Sequence, residues 1–166
     1  MSTEDAALPV APKLDGPAPR VLVVRAPYYV AVVDGLTEGA LGILRQAGAA
    51  SAVLDVAGAL ELPAAVRLAV RAEERTGERR WDGFVALGCV VRGDTDHYDH
   101  VCRESIGGLS AVALRHGLCL GIGVLTVDRV EDALLRAGGS DGPNKGAEAA
   151  VAALLQIRAA RWLGAV

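Results

Sequence analysis

The sequence predicts an α/β fold, with a four-stranded parallel sheet and helices on both faces. Two observations carry this. Short apolar runs recur at residues 20–26, 52–56, 84–91 and 118–126, separated by segments of helical spacing, as strands buried on both faces require. Hydrophobic residues make up 52% of the chain but aromatics only 4%, so Ala, Val and Leu must build a core of helices packed on a sheet. A length of 166 residues suits one such domain, assigned here to 20–166 behind a tail of residues 1–19.

The tail holds four of the seven prolines, with neither a basic start nor a continuous apolar core. That excludes a signal peptide and a membrane span, and a mobile segment is expected. The first strand, from Arg20 to Ala26, ends at Pro27, and Tyr28-Tyr29 then stands at its carboxyl end, where α/β sheets bind ligands. Leu36, Ala40, Leu41 and Leu44 recur at helical spacing until Gly48. After the strand at 52–56, residues 57–62 form a loop carrying Glu61, and Pro63 opens a helix running to about Arg75.

The third strand, Phe84 to Val91, breaks into the polar turn Arg92-Gly93-Asp94-Thr95 and a helix start. A helix N-terminus offers unpaired amides and a partial positive charge, so this turn can hold an anion such as phosphate without a lysine. His97 and His100 lie just inside that helix, which brings a group titrating near neutral pH beside the anion. A fourth strand at 118–126 follows, then a short helix capped by Asp128 and ending near Ala137, a loop over 138–143, and a long Ala-rich helix over 145–163. Right-handed crossovers bring Tyr28, Glu61, Gly93 to His97 and the end of strand four toward one crevice. Four strands make a narrow sheet for such long apolar helices, which hints at subunit packing.

A net charge of -3, with acidic and basic residues mixed, gives no electrostatic case for nucleic acid. Cys89, Cys102 and Cys119 are odd in number and lack CxxC spacing, as expected of reduced thiols in a cytoplasmic protein. His97 and His100, with Asp99, Cys102 and His116 nearby, leave a metal site as a competing reading, although no motif fixes a third ligand. A phosphate-loop hydrolase is excluded, since residues 88–95 contain no GK[ST].

The phrases VLVV followed by YY, VAGALELP, ALGCVVRGDTDHYDHV, GVLTVDRVEDALLRAG and NKGAEAA resemble the lumazine synthase family, over about residues 20–162. The resemblance implies a flavodoxin-like three-layer sandwich, assembled at least into pentamers with active sites between neighbouring subunits. It implies condensation of 5-amino-6-(D-ribitylamino)uracil with 3,4-dihydroxy-2-butanone 4-phosphate, without cofactor or metal. Carried over position by position, His97 matches the proton-transferring histidine. Asp94 and Thr95 match the phosphate-holding turn, and Arg136 the phosphate-binding arginine. Tyr28 matches the ring-stacking aromatic, and Ala59, Leu60 and Glu61 match the segment that binds the ribityl chain and ring. Cys89, Val90 and Val91 offer backbone groups to the uracil edge, while Lys145 falls in the NKG phrase as a catalytic or helix-start residue.

Ala57, Leu60 and Ile122 stand where the family more often has a proline and two aromatics, so fewer rings surround the pyrimidine. The GGSDGPNKG loop is one residue longer than the type that accompanies the family's large shells. A homopentamer or a pair of pentamers is therefore expected, with riboflavin synthase a candidate partner. The alternative within the resemblance is a non-catalytic flavin- or lumazine-binding relative.

Overall fold

The computed structural model describes residues 9–138 and 143–165. Four strands, β1 (Arg20–Arg25), β2 (Ala50–Asp55), β3 (Gly83–Val91) and β4 (Leu120–Val127), form one sheet in the order β2-β1-β3-β4. Every neighbouring pair is parallel. The helices are α1 (Val30–Gln46), α2 (Leu62–Thr76), α3 (His97–His116), α4 (Val130–Arg136) and α5 (Lys145–Trp162), with a 3-10 turn at Ala59–Glu61 leading into α2.

The apolar runs are uninterrupted because the central strands are buried on both sides. Val21, Val23, Val85, Leu87 and Cys89 pack with α1 and α5, while Leu22, Val24, Phe84 and Ala86 pack with α2 and α3. This is the three-layer α/β arrangement expected. Pro63 sits in the first turn of α2, and Gly117, at φ 61°, ends α3 in the left-handed conformation. Asp128 does not cap α4. The cap position is Arg129 with no side-chain bond, and the Asp128 carboxylate instead accepts from Arg92 Nε at 3.0 Å. A nearby guanidinium outcompetes the weaker backbone donors.

Helix α5 lies unusually close to its neighbours. A β-carbon added at Gly146 would collide with the Leu36 carbonyl of α1, and one at Gly121 of β4 with the Ala149 carbonyl of α5. Only glycine permits such approach. Asn144 fixes the start of α5: its Oδ1 accepts from the amides of Gly146 (2.9 Å) and Ala147 (3.0 Å). Its Nδ2 donates to the carbonyls of Gly35 (2.9 Å) and Gly138 (2.7 Å). One buried side chain thus satisfies four backbone groups on three segments.

Among the described residues both sheet edges are open. Every residue of β2 is exposed, with Val53 and Leu54 retaining 43% and 42% of their surface. Of the tail, residues 1–8 lie outside the described residues; Ala11 and Leu14 pack against the core, and Arg161 donates to the Pro17 carbonyl at 2.8 Å. The loop whose length bears on assembly also falls partly outside, at 139–142. No helix among the described residues is long and apolar enough to cross a membrane.

Replacing Asn144 by Ala removes the cap and the side-chain bonds to the carbonyls of Gly35 and Gly138. It should cost about 2 kcal/mol. Denaturant unfolding at fixed protein concentration reads this directly, and an unchanged midpoint would refute the role assigned to Asn144.

Candidate active site

Two cavities hold the site residues singled out from the sequence except Asp94 and Thr95, which line neither. The first, about 390 Å³, lies at the carboxyl ends of β1 and β3. Parallel pairing places Arg25 opposite Leu87, and the Ala26 amide donates to the Leu87 carbonyl at 2.9 Å, so the chain beyond β1 emerges beside the end of β3. The Tyr28 amide then donates back to the Ala26 carbonyl at 2.9 Å, a three-residue turn centred on Pro27. That turn tips Tyr28 outward to 75% exposure, its ring meeting Tyr29 edge-on at 5.2 Å between centroids.

Opposite stand Ala59, Leu60 and Glu61, on the 3-10 turn between β2 and α2. The floor is the end of β3: Cys89, Val90 and Val91. His97 completes the wall as the first residue of α3, at its very start rather than inside it. Asp96 precedes it at the cap position and makes no side-chain bond to the helix. Asp94 and Thr95 are exposed in the turn before it. The first backbone bonds at this end run from Asp99 (3.0 Å) and His100 (3.3 Å) to the Asp96 carbonyl, so the amides ahead of them donate to no backbone carbonyl. An exposed imidazole therefore adjoins a run of free donors, the geometry that suits an anion and a proton carrier together.

The second cavity, about 680 Å³, runs along the open edge of β4 between α4 and α5. Ile122, Arg136 and Lys145 line it. Arg136 donates to the Asp132 carbonyl at 2.7 Å, which anchors its fork along α4. The Lys145 ammonium is held by both oxygens of Glu148, at 2.7 and 2.9 Å. The expected single crevice is thus two in one chain. Tyr28, Glu61 and His97 meet in one cavity, whereas the end of strand four opens onto the other. The reason is topological: β4 is an edge strand, and its free side faces away from β1 and β3.

Glu148 was missed in the sequence, although its spacing of three from Lys145 on a helix is a readable signal. Among the described residues no group of three or more His, Cys, Asp and Glu side chains is placed to hold a metal. His116 ends α3, about 30 Å along the helix from His97, and its Nδ1 lies 3.6 Å from Glu74.

The class is an α/β protein whose carboxyl-edge cavity is walled by an aromatic, a carboxylate and a histidine at an uncapped helix start, a setting that suits proton transfer beside an anion. Comparison narrows the class. The family model described as 6,7-dimethyl-8-ribityllumazine synthase matches residues 18–161. A protein of that name from Afipia carboxidovorans is 45% identical over 151 residues, 91% of each chain. One from Nitrobacter winogradskyi is 46% identical over 144 residues, 87% of each. A third, 6,7-dimethyl-8-ribityllumazine synthase 1 of Rhodopseudomonas palustris, is 43% identical and covers 93% of this chain and 94% of its own. The chain belongs to the 6,7-dimethyl-8-ribityllumazine synthase family.

Cys89 is the one thiol in the cavity wall, and burial pushes its pKa up to about 11. It stays a neutral, unreactive thiol at physiological pH. Between the ordinary 9.0 and about 11 the folded thiol keeps a proton that the unfolded one loses, so its contribution to folding is full below 9 and fades as pH rises through that window. Iodoacetamide should modify Cys89 slowly at neutral pH and faster only as the pH nears that upper limit. Rapid alkylation at neutral pH, located by peptide mass mapping, would contradict this environment.

Proposed function

We propose that this chain is a cytoplasmic transferase that condenses 5-amino-6-(D-ribitylamino)uracil with 3,4-dihydroxy-2-butanone 4-phosphate. The products are 6,7-dimethyl-8-ribityllumazine, phosphate and water, the penultimate step of riboflavin biosynthesis. Family membership over residues 18–161 supports the reaction. The observation that carries it to particular residues is His97 at the uncapped start of α3, in a cavity shared with Tyr28 and Glu61.

The chemistry suits such a site. The amine attacks the ketone, phosphate leaves, and ring closure loses water, so the protein must chiefly hold two substrates in register and move protons. His97 gives and takes those protons. Tyr28 stacks on the pyrimidine, Ala59, Leu60 and Glu61 hold the ring and ribityl chain, and backbone groups of Cys89, Val90 and Val91 read the uracil edge. The amides around Asp94 and Thr95 grip the phosphate, since the Asp94 carboxylate itself would repel it. Arg136 adds a guanidinium fork to the same phosphate. Lys145, held by Glu148 in the cleft with Arg136, serves as an auxiliary cation, and Ile122 lies against the substrate where other members have an aromatic.

Because Ile122, Arg136 and Lys145 line the β4 cleft, they reach this reaction from a neighbouring subunit, whose cleft faces the His97 cavity. The exposed Tyr28, Leu60 and Leu135 and the two open sheet edges support burial between copies. The assembly is a pentamer or a pair of pentamers.

The purified chain mixed with both substrates should develop lumazine absorbance and fluorescence. Substituting His97 by Ala should slow turnover on the order of 100-fold with pyrimidine binding intact. Arg136→Ala should raise KM for the butanone phosphate on the order of tenfold. Saturable pyrimidine binding without turnover would instead identify a non-catalytic relative. For the assembly, light scattering should give the mass of five or ten chains, and a megadalton particle would overturn that limit.

A further inference from the structure

We propose that Arg92 is a positioning residue that holds the turn of residues 93–96 in its phosphate-gripping shape by tying it to the end of β4 and the first turn of α3. This rests on the function proposed above. Arg92 begins the turn, and its side chain joins segments far apart in the sequence. Its amide donates to the Val127 carbonyl at 2.9 Å, and its Nε pairs with Asp128 at 3.0 Å. The other end of the fork lies 3.5 Å from Asp99, and the guanidinium carbon stands 4.1 Å from the centre of the Tyr98 ring. A planar cation stacked on a ring and held by two carboxylates has one geometry, which a lysine could not reproduce.

The charge balance indicates positioning rather than direct binding. One guanidinium between two carboxylates has no positive charge to spare for a substrate anion. Removing the side chain would do two things: leave the turn held to β4 only by the amide bond to Val127, and leave two carboxylates beside the phosphate. The Asp128 partner also lines the cleft of Arg136 and Lys145, so the pair ties the turn before α3 to the wall of that cleft.

Steady-state kinetics on the assembled wild-type protein and its variants decides the matter. Arg92→Ala should raise KM for the butanone phosphate on the order of tenfold, with a smaller loss in kcat and an unchanged Kd for the pyrimidine. Arg92→Lys should recover part of that loss. Asp128→Asn discriminates between the two roles: it should raise KM if Arg92 positions the turn, and lower KM if Arg92 is a phosphate ligand freed by losing its counter-ion. The double variant should be little worse than Arg92→Ala alone. Melting temperature and light scattering on each variant separate this from unfolding; should the Ala variant fail to fold, the Lys and Asn variants decide alone. An unchanged or lowered KM in Asp128→Asn, while the wild type turns over, overturns the Arg92 assignment and leaves the reaction standing. A wild type without turnover removes the reaction and the assignment with it.

Discussion

The candidate site depends on the register between β1 and β3. Pairing of Arg25 with Leu87, continued by the bond from Ala26 to Leu87, delivers the β1–α1 connection to the end of β3 just where β3 turns toward α3. A shift of one residue would turn the inward side chains of β1 from one core to the other, exchanging Val21 and Val23 with Leu22 and Val24. Burial on both sides makes that shift costly. Tyr28 and His97, 69 positions apart in sequence, are neighbours for this reason.

A second constraint sets the β4 cleft. Contact of α5 with β4 at Gly121, and with α1 at Gly146, presses the helix start down on the sheet, and Asn144 locks it there. Lys145 follows Asn144 directly, so the same cap that stabilises α5 aims the lysine into the cleft. Packing and site are therefore inseparable in the NKG phrase: Asn caps, Gly permits contact, and Lys faces outward to Glu148.

Most of the fold could be read from the sequence because its strands are buried on both sides and so appear as unbroken apolar runs. Strand β2 has the same signature but lies exposed, so an apolar run alone does not tell a buried central strand from an exposed edge strand. Glu61, Tyr28 and His97 stood out because each follows a strand. What escaped reading was long-range. Local spacing makes Asp128 a cap, yet its partner Arg92 is 36 residues away. The two-cavity layout was equally hidden, because strand order, which alone makes β4 an edge, is not encoded in any local pattern.

The two cavities differ in the kind of positive charge they offer an anion. The β4 cleft offers Arg136 and Lys145, but Asp128, Asp132 and Glu148 line it too, and Lys145 is already paired. Asp128 is paired in turn with Arg92 and Asp132 with Arg129, so the charges here are largely balanced pairs and Arg136, bonded only to a backbone carbonyl, keeps its charge for an anion. The α3 start has the reverse character: oriented amides and a partial positive charge, but no uncommitted cation in the turn, because Arg92 is held by Asp99 and Asp128. In the function proposed above, an anion placed where both surfaces meet gains the amides from one and the Arg136 fork from the other. The two surfaces are complementary in this sense, which supports the proposal that the site lies between facing copies of the chain.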